Sequence, residues 1–440
     1  MPGESSLDCK QHETAPWSLI LLLVGAGVVA SFQVGKVPPM LPFIRMELGM
    51  NLFLAGWMLS IFSITGLVFG SVIGAVADAF GHRRFVLWGL VCQAIASFLG
   101  SLASGAELLL LTRVLEGFGF FMIAAAAPAM IFRITPVCHH RLTLSVWSCY
   151  VPAGVAAIML LAPLLESRFG WRGLWQVNTV ILLAYGFWVM RATSGIAAFR
   201  GGKPLPWKTV FENIVSTTTA KGPLLLSAIF GSYALQWLTV MGFLPTLLME
   251  DHGLDPAKAA VLTAVMVAMN MPGNLAGGWL LQRNVRRWNL ITAASLTMGL
   301  CSLAIYSPHF SFAVRYGACL LFSGVGGLIP SSILSGAPVY APSRDLVAAT
   351  NGLFIQGAQF GQLVGPPVLG LVVASAGGWH VAPWFLGSSA ALGIMLSFWL
   401  SPAFALQKKV QYFLSLTDQG TTDSPYFFDQ ARLRLSGKCL

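Results

Sequence analysis

The sequence predicts an all-α membrane protein: twelve transmembrane helices in two pseudo-symmetric six-helix bundles. Three observations lead there. Of 440 residues, 56% are hydrophobic and only 10% charged, against about a quarter charged in a soluble domain. Lys and Arg gather in the connectors at one end of the apolar runs. The second half also repeats features of the first at a shift of 204 residues.

A spanning helix needs about 20 mostly apolar residues. Such runs fall at 17–43, 51–76, 85–103, 107–132, 143–165, 172–190, 222–248, 257–281, 288–306, 311–340, 346–375 and 381–402. Within a bilayer the backbone must satisfy its own hydrogen bonds, so runs of this length are helices, and the short alternating segments of a barrel are missing. The first run follows Glu4, Asp8 and Glu13 with no basic leader, so no cleavable signal peptide is expected. The expected organisation is an N-terminal bundle over 17–190, a basic linker over 191–221 and a C-terminal bundle over 222–402. A polar cytoplasmic tail, partly disordered, follows over 403–440.

Charge sets the orientation. With twelve spans, nineteen of the 26 Lys and Arg residues fall on the side of both termini, four on the other, and Lys36, Arg113 and Arg315 inside spans. By the positive-inside rule both termini are cytoplasmic. The net charge of +10 therefore reads as a topology signal, and no nucleic-acid partner is expected. Seven Cys without CxxC spacing suggest no disulfide framework, and Cys138-His139-His140 lacks a second ligand cluster for a metal.

The repeat is clearest after the second span. Gly74-Ala75-Val76-Ala77-Asp78-Ala79-Phe80-Gly81-His82-Arg83-Arg84 returns, 204 residues later, as Gly278 through Gln282 and Arg283 to Arg286-Arg287. Gly66, Gly70 and Gly74 form a small-residue stripe on span two, and Gly357, Gly361 and Gly365 another on span eleven.

These residues resemble the major facilitator superfamily from about 17 to 402. Gly74…Asp78…Gly81…Arg83-Arg84 is similar to that family's loop after the second helix, departing at Ala79 and His82, where basic residues are usual. Arg113-Val114-Leu115-Glu116-Gly117 resembles its Arg-x-x-Gln-Gly pattern with Glu for Gln, and Gly170-Trp171-Arg172 its turn before the sixth helix. Gly35-Lys36-Val37-Pro38-Pro39 and Val151-Pro152-Ala153-Gly154 look similar to cyanate-permease-like bacterial members. The antiporter signature of span five is reduced to Ala162-Pro163-Leu164, which puts uptake ahead of drug/proton antiport. The resemblance implies a multi-pass protein of a bacterial inner membrane, working as a monomer without cofactor.

Charges inside spans are costly and default to function. Glu116 is the one carboxylate placed well within a span. Three residues after Arg113, it shares a helix face with that cation and is the candidate proton site. A structural intrahelical pair is the plainer reading. Lys36, Arg113, Asn270, Asn274 and Gln359 are candidate substrate ligands. Lys36 could face a cavity and attract a carboxylate or snorkel outward, and Arg315 is expected to snorkel. Gly74, Asp78, Gly81, Arg83, Arg84, Arg133 and Arg283 are candidate gating residues, with topogenic charge as the alternative. No GxSxG, Walker loop or HExxH is present, and no enzyme activity is expected.

The expected function is secondary transport of a small anion with a proton, by alternating access. Efflux of a hydrophobic compound is the alternative within the class, and a non-transporting receptor on the same scaffold the alternative outside it.

Overall fold

A computed structural model describes residues 15–136, 139, 143, 146–196, 199, 206–343 and 346–417, without the side chains of 74, 75, 78, 79, 348 and 401–417. Among the described residues all regular structure is helical. Eleven stretches are long and apolar enough to cross a bilayer, and one of them, Val146–Ala192, has 47 residues. Unbroken, it would extend about 70 Å, where a bilayer core takes about 30 Å. It breaks at Gly170, whose φ of 64° and ψ of −177° suit only glycine. Span five thus ends at Gly170 and span six begins at Trp171, giving twelve.

Span one joins helices Trp17–Gly35 and Val37–Leu48 at Lys36. Pro38 and Pro39 fall in the first turn of the second helix, where a missing N–H costs nothing, so this span runs past residue 43 to Leu48. Span two joins Leu52–Ser60 to Ile64–Phe80 through a 3-10 turn; spans three and four are His82–Ser101 and Ala106–Ile134. Between the halves lies a short helix, Trp207–Thr218. Span seven is Lys221–His252, and span eight is Pro256–Ala268 with Asn270–Gln282. Span nine is Arg287–Ile305, span ten Phe312–Gly326 with Leu328–Leu334, and span eleven Val347–Ala376. The helix of span twelve, Ala382–Thr417, continues past residue 402. The face where the first span starts and the last one leaves the bilayer is here the near face, the other the far face.

The repeat is built into the far-face turns. Gly49 and Gly253 end spans one and seven with φ of 62° and 60°. Asn51 caps span two through the Leu54 amide at 2.9 Å, and Asp255 caps span eight through the Lys258 amide at 3.0 Å. Both pairs of positions are 204 residues apart. The Lys258 amide and ammonium hold the Asp255 carboxyl below the usual range.

The apolar core differs between the faces. Toward the far face one cluster spans both halves, joining Phe32, Met40, Met58 and Trp175 to Phe243, Leu247 and Trp379. Toward the near face the N-terminal half has a cluster of its own, including Ile20, Phe85, Phe121 and Met130, with Ile355 as the one contributor from the other half. The Tyr150–Ala192 helix packs mainly along Pro256–Ala268, the far-face part of span eight. Spans two and eleven stay together further, held by Ser63 donating to Gln362 at 3.1 Å and Ser71 to Gln356 at 2.5 Å. Among the described residues the halves are thus joined closely at the far face and less at the near one.

The glycine stripe of span eleven lies against span seven. A Cβ at Gly361 would sit 1.9 Å from the Gly231 carbonyl oxygen, and one at Gly357 2.1 Å from that of Ser227. Gly361→Val should lower the thermal unfolding midpoint in detergent, by about 1–3 kcal/mol of overpacking. Gly387→Ala, which meets nothing within 4 Å, should leave it unchanged; differential scanning fluorimetry reads both.

Candidate functional site

Span four carries Arg113 and Glu116 one helical turn apart, and span one kinks at Lys36, which turns that side chain toward span four. All three are 0% exposed. The Lys36 ammonium lies 2.7 Å from Glu116 Oε1, and the Arg113 guanidinium donates to Glu116 Oε2. One carboxylate therefore serves two cations, leaving a buried excess of one positive charge.

Neighbouring spans hold this cluster in place. Lys36 also donates to Ser97 Oγ at 3.0 Å, which donates to the Trp175 carbonyl at 2.9 Å, and its ammonium sits 4.2 Å from the Trp175 ring centroid. Arg113 donates to the carbonyls of Gln33 at 2.7 Å and Met58 at 3.3 Å, over the Phe62 ring. Gln93 Nε2 reaches the carbonyls of Ala30 and Glu116. Spans one, two, three, four and six thus converge, all from the N-terminal half. The cluster lies at mid-depth: Phe32, Met58 and Trp175 belong to the shared far-face core, whereas Ala30, Phe62 and Phe120 belong to the near-face cluster. It sits where the halves begin to part. Among the described residues the side-chain amide of Gln33 and the Oε1 of Gln93 have no protein partner.

Lys36 neither snorkels nor stands free in a cavity; its attraction to Glu116 exceeds both options. Arg315 likewise turns inward. It is 8% exposed, donates to the Ile305 carbonyl at 2.7 Å and pairs with Asp251 at 3.1 Å.

In the C-terminal half, Asn270 Nδ2 donates to Tyr233 Oη and to the Ser323 carbonyl, both at 3.0 Å, tying spans seven, eight and ten. Asn274 Nδ2 donates to Asn270 Oδ1 at 2.8 Å. Spans eight and ten meet here almost backbone to backbone, since a Cβ at Gly273 would lie 1.8 Å from the Gly324 carbonyl oxygen. Gln359 is nearly buried, and its Oε1 has no protein partner. Gln356 and Gln362, which flank Gln359 on span eleven, bridge to span two. A spacing of three residues either side of Gln359 on a helix was the signal that they share its face.

The gating candidates occupy the near face. Gly81 ends span two with φ 93°. Arg83 donates to Thr193 Oγ1 at 2.9 Å and to the Met190 carbonyl at 2.8 Å, fastening span three to span six. Arg84 and Arg133 are exposed, and Arg283 lies over the Trp279 ring at 4.1 Å. The backbones of Gly74 and Asp78 are helical, while the Asp78 side chain lies outside the described residues, as do Cys138 and His140. Among the described residues no three His, Cys, Asp or Glu gather into a metal site.

The family model for the Major Facilitator Superfamily matches residues 23–355. The chain belongs to that superfamily. Members of its transporter fold carry small solutes across membranes as multi-pass proteins, and this superfamily chain has the same architecture. It is 23% identical to a hexuronate transporter of Bacillus subtilis, over 82% of this chain and 88% of that one. It is 24% identical to a methyl viologen resistance protein of Salmonella typhimurium, over 81% and 82%. Its fold is similar to a bacterial homologue of the human lysosomal transporter Spinster, crystallised inward-facing and unoccupied. That similarity has a TM-score of 0.70 at 15% identity and covers 90% of this chain and 97% of the other.

The charge arrangement makes a stability prediction. Removing Glu116 strands two buried cations, whereas removing Lys36 leaves the neutral Arg113–Glu116 pair. Glu116→Ala should destabilise by about 3–5 kcal/mol and Lys36→Met by clearly less, measured as thermal unfolding of purified protein in one detergent.

Proposed function

We propose that this superfamily member takes up a small organic anion together with a proton. The observation that carries the reading is the buried cluster of Lys36, Arg113 and Glu116, with one positive charge in excess. Burying unpaired charge is costly, so the cluster favours an anion brought beside it. Protonating Glu116 would raise the excess from one to two, and the carboxylate of a substrate would bring it back. Proton and anion thus assist one another's binding through a single carboxylate. The hexuronate transporter among its relatives handles a sugar carboxylate, which fits.

The transport cycle follows from the packing. With the basic near face in the cytoplasm, as the positive-inside rule requires, the continuous far-face core closes the outside and the parted near face opens inward. Residues 17–190 and 222–402 then rock about the mid-depth cluster, joined by 191–221, with 403–440 in the cytoplasm of a bacterial cell. Lys36 and Arg113 draw the anion, Gln359 faces it from the other half, and Asn270 and Asn274 reach it once rocking frees them from Tyr233, Ser323 and each other. Asp78 and the near-face residues Gly74, Gly81, Arg83, Arg84, Arg133 and Arg283 close the cytoplasmic side when the halves rock back. The protein works as a monomer.

A second reading is efflux of a hydrophobic compound. It is favoured by the methyl viologen resistance protein among the relatives. It is favoured too by a cavity of about 480 Å³ between spans seven, eleven and twelve, lined by Leu224, Leu235, Leu353, Phe360 and Leu392.

Uptake of radiolabelled carboxylates into proteoliposomes, with and without an acid-outside gradient, separates the readings. Wild-type protein should accumulate one of them only with the gradient. Glu116→Gln should still exchange substrate yet ignore the gradient, and Lys36→Met should raise KM on the order of ten-fold through loss of a charge-assisted contact. Gradient-driven loss of a hydrophobic cation from the vesicles, with no carboxylate flux, would select efflux instead.

A further inference from the structure

The far face carries a second set of charges that the cluster around Glu116 does not use. In the N-terminal half, Glu47 near the end of span one accepts from the Trp171 indole at 2.6 Å and from the Arg172 guanidinium. Arg172 lies on the Trp171 ring at 4.3 Å and donates to the Ala103 carbonyl at 2.8 Å. This clasp is complete within its own half, fastening spans one, three and six.

The C-terminal half builds the same corner differently. Trp379 stands before span twelve as Trp171 stands at the start of span six, each following a glycine turn with positive φ at Gly377 or Gly170. The residue 204 positions after Glu47 is Asp251, and it pairs with Arg315 of span ten at 3.1 Å. The Trp379 indole goes instead to Glu250 at 3.1 Å. One residue earlier on a helix is a turn of about 100°, which aims Glu250 at span one. There it meets Arg45 of the other half at 3.3 Å. After Trp379 the chain has His380, which is exposed, where the first half has Arg172. Among the described residues Glu250 therefore pairs with no cation of its own half.

Spans two and eleven also meet almost backbone to backbone toward this face: a Cβ at Gly56 would lie 2.5 Å from the Pro366 carbonyl oxygen, and one at Gly370 2.3 Å from that of Leu52. Among the described residues Arg45–Glu250 is the ion pair that joins the halves. Its side chains are 23% and 46% exposed, so water can reach both partners as the halves part.

We propose that Arg45 and Glu250 form the far-face latch of the transport cycle, and that His380, in the place of Arg172, leaves Glu250 available to cross between the halves. The latch rests on the rocking motion described above but not on the identity of the substrate. An arginine at 380 would give Glu250 a partner inside its own half, as Arg172 does for Glu47, and so compete with Arg45.

Hydrogen–deuterium exchange on the full-length protein in lipid nanodiscs, without substrate, tests the latch apart from transport. Peptides covering Leu52–Ser60 and residues 362–370 report the far-face contact, and peptides covering His82–Ser101 serve as the reference. Arg45→Gln and Glu250→Gln should each speed far-face exchange by about two- to five-fold, the range for a half-exposed ion pair, with the reference unchanged. The double variant should match the singles, and His380→Arg should move exchange in the same direction. Unchanged exchange in Glu250→Gln, or additive increases in the double variant, would overturn the latch. Faster exchange throughout the chain would mark a misfolded variant, in which case His380→Arg, which removes no contact between the halves, decides alone. A latch that fails here while gradient-driven uptake persists leaves the transport reading standing.

Discussion

Five spans of the N-terminal half converge on one buried carboxylate shared by two buried cations. Within a membrane a buried Lys36 or Arg113 without a counter-charge is costly, and Glu116 offsets that cost for both. That requirement accounts for the contact of Lys36, at the junction of the two helices of span one, with Glu116 of span four. It also accounts for the polar atoms of Ser97, Gln93 and the Gln33 and Met58 carbonyls that five spans supply. The sharing is incomplete by one formal charge, and the proposed uptake of an anion rests on this imbalance.

The position of the cluster matters as much as its charge. It lies where the far-face core, common to both halves, gives way to a core confined to the N-terminal half. In the proposed cycle a change of charge there would act where the packing shared by both halves ends. The C-terminal half answers with uncharged groups. Asn270, Asn274 and Tyr233 form a neutral network that holds spans seven, eight and ten together, while Gln359 keeps a carbonyl oxygen without a protein partner. The two bundles repeat one geometry, visible in Gly49 and Gly253 and in Asn51 and Asp255. They divide the work between a charged half and a neutral one.

The same divergence governs the far face. Glu47 is satisfied at home by Trp171 and Arg172, whereas Glu250 keeps its tryptophan but looks across to Arg45. A one-residue offset along a helix converts an internal clasp into a contact between bundles. Small changes in register are sufficient because each residue turns the side chain by about 100°.

Much of this was legible in the chain itself. Hydropathy and span length determined the twelve helices, because a bilayer admits no other use for such runs. The 204-residue repeat determined the pseudo-symmetry, and the Arg113–Glu116 spacing placed that pair on one face. What the sequence left open was every relation between residues distant along the chain. Lys36 could have faced a cavity or the lipid headgroups, and Arg315 was expected to snorkel; packing of spans one and ten turned both inward, to carboxylates 80 residues on and 64 residues back. Asn270 and Asn274 read as substrate ligands, yet tertiary packing joined them first to Tyr233, to the Ser323 carbonyl and to each other. Periodicity reports which face a residue occupies, but the partner on that face is chosen by helices whose approach depends on the whole bundle.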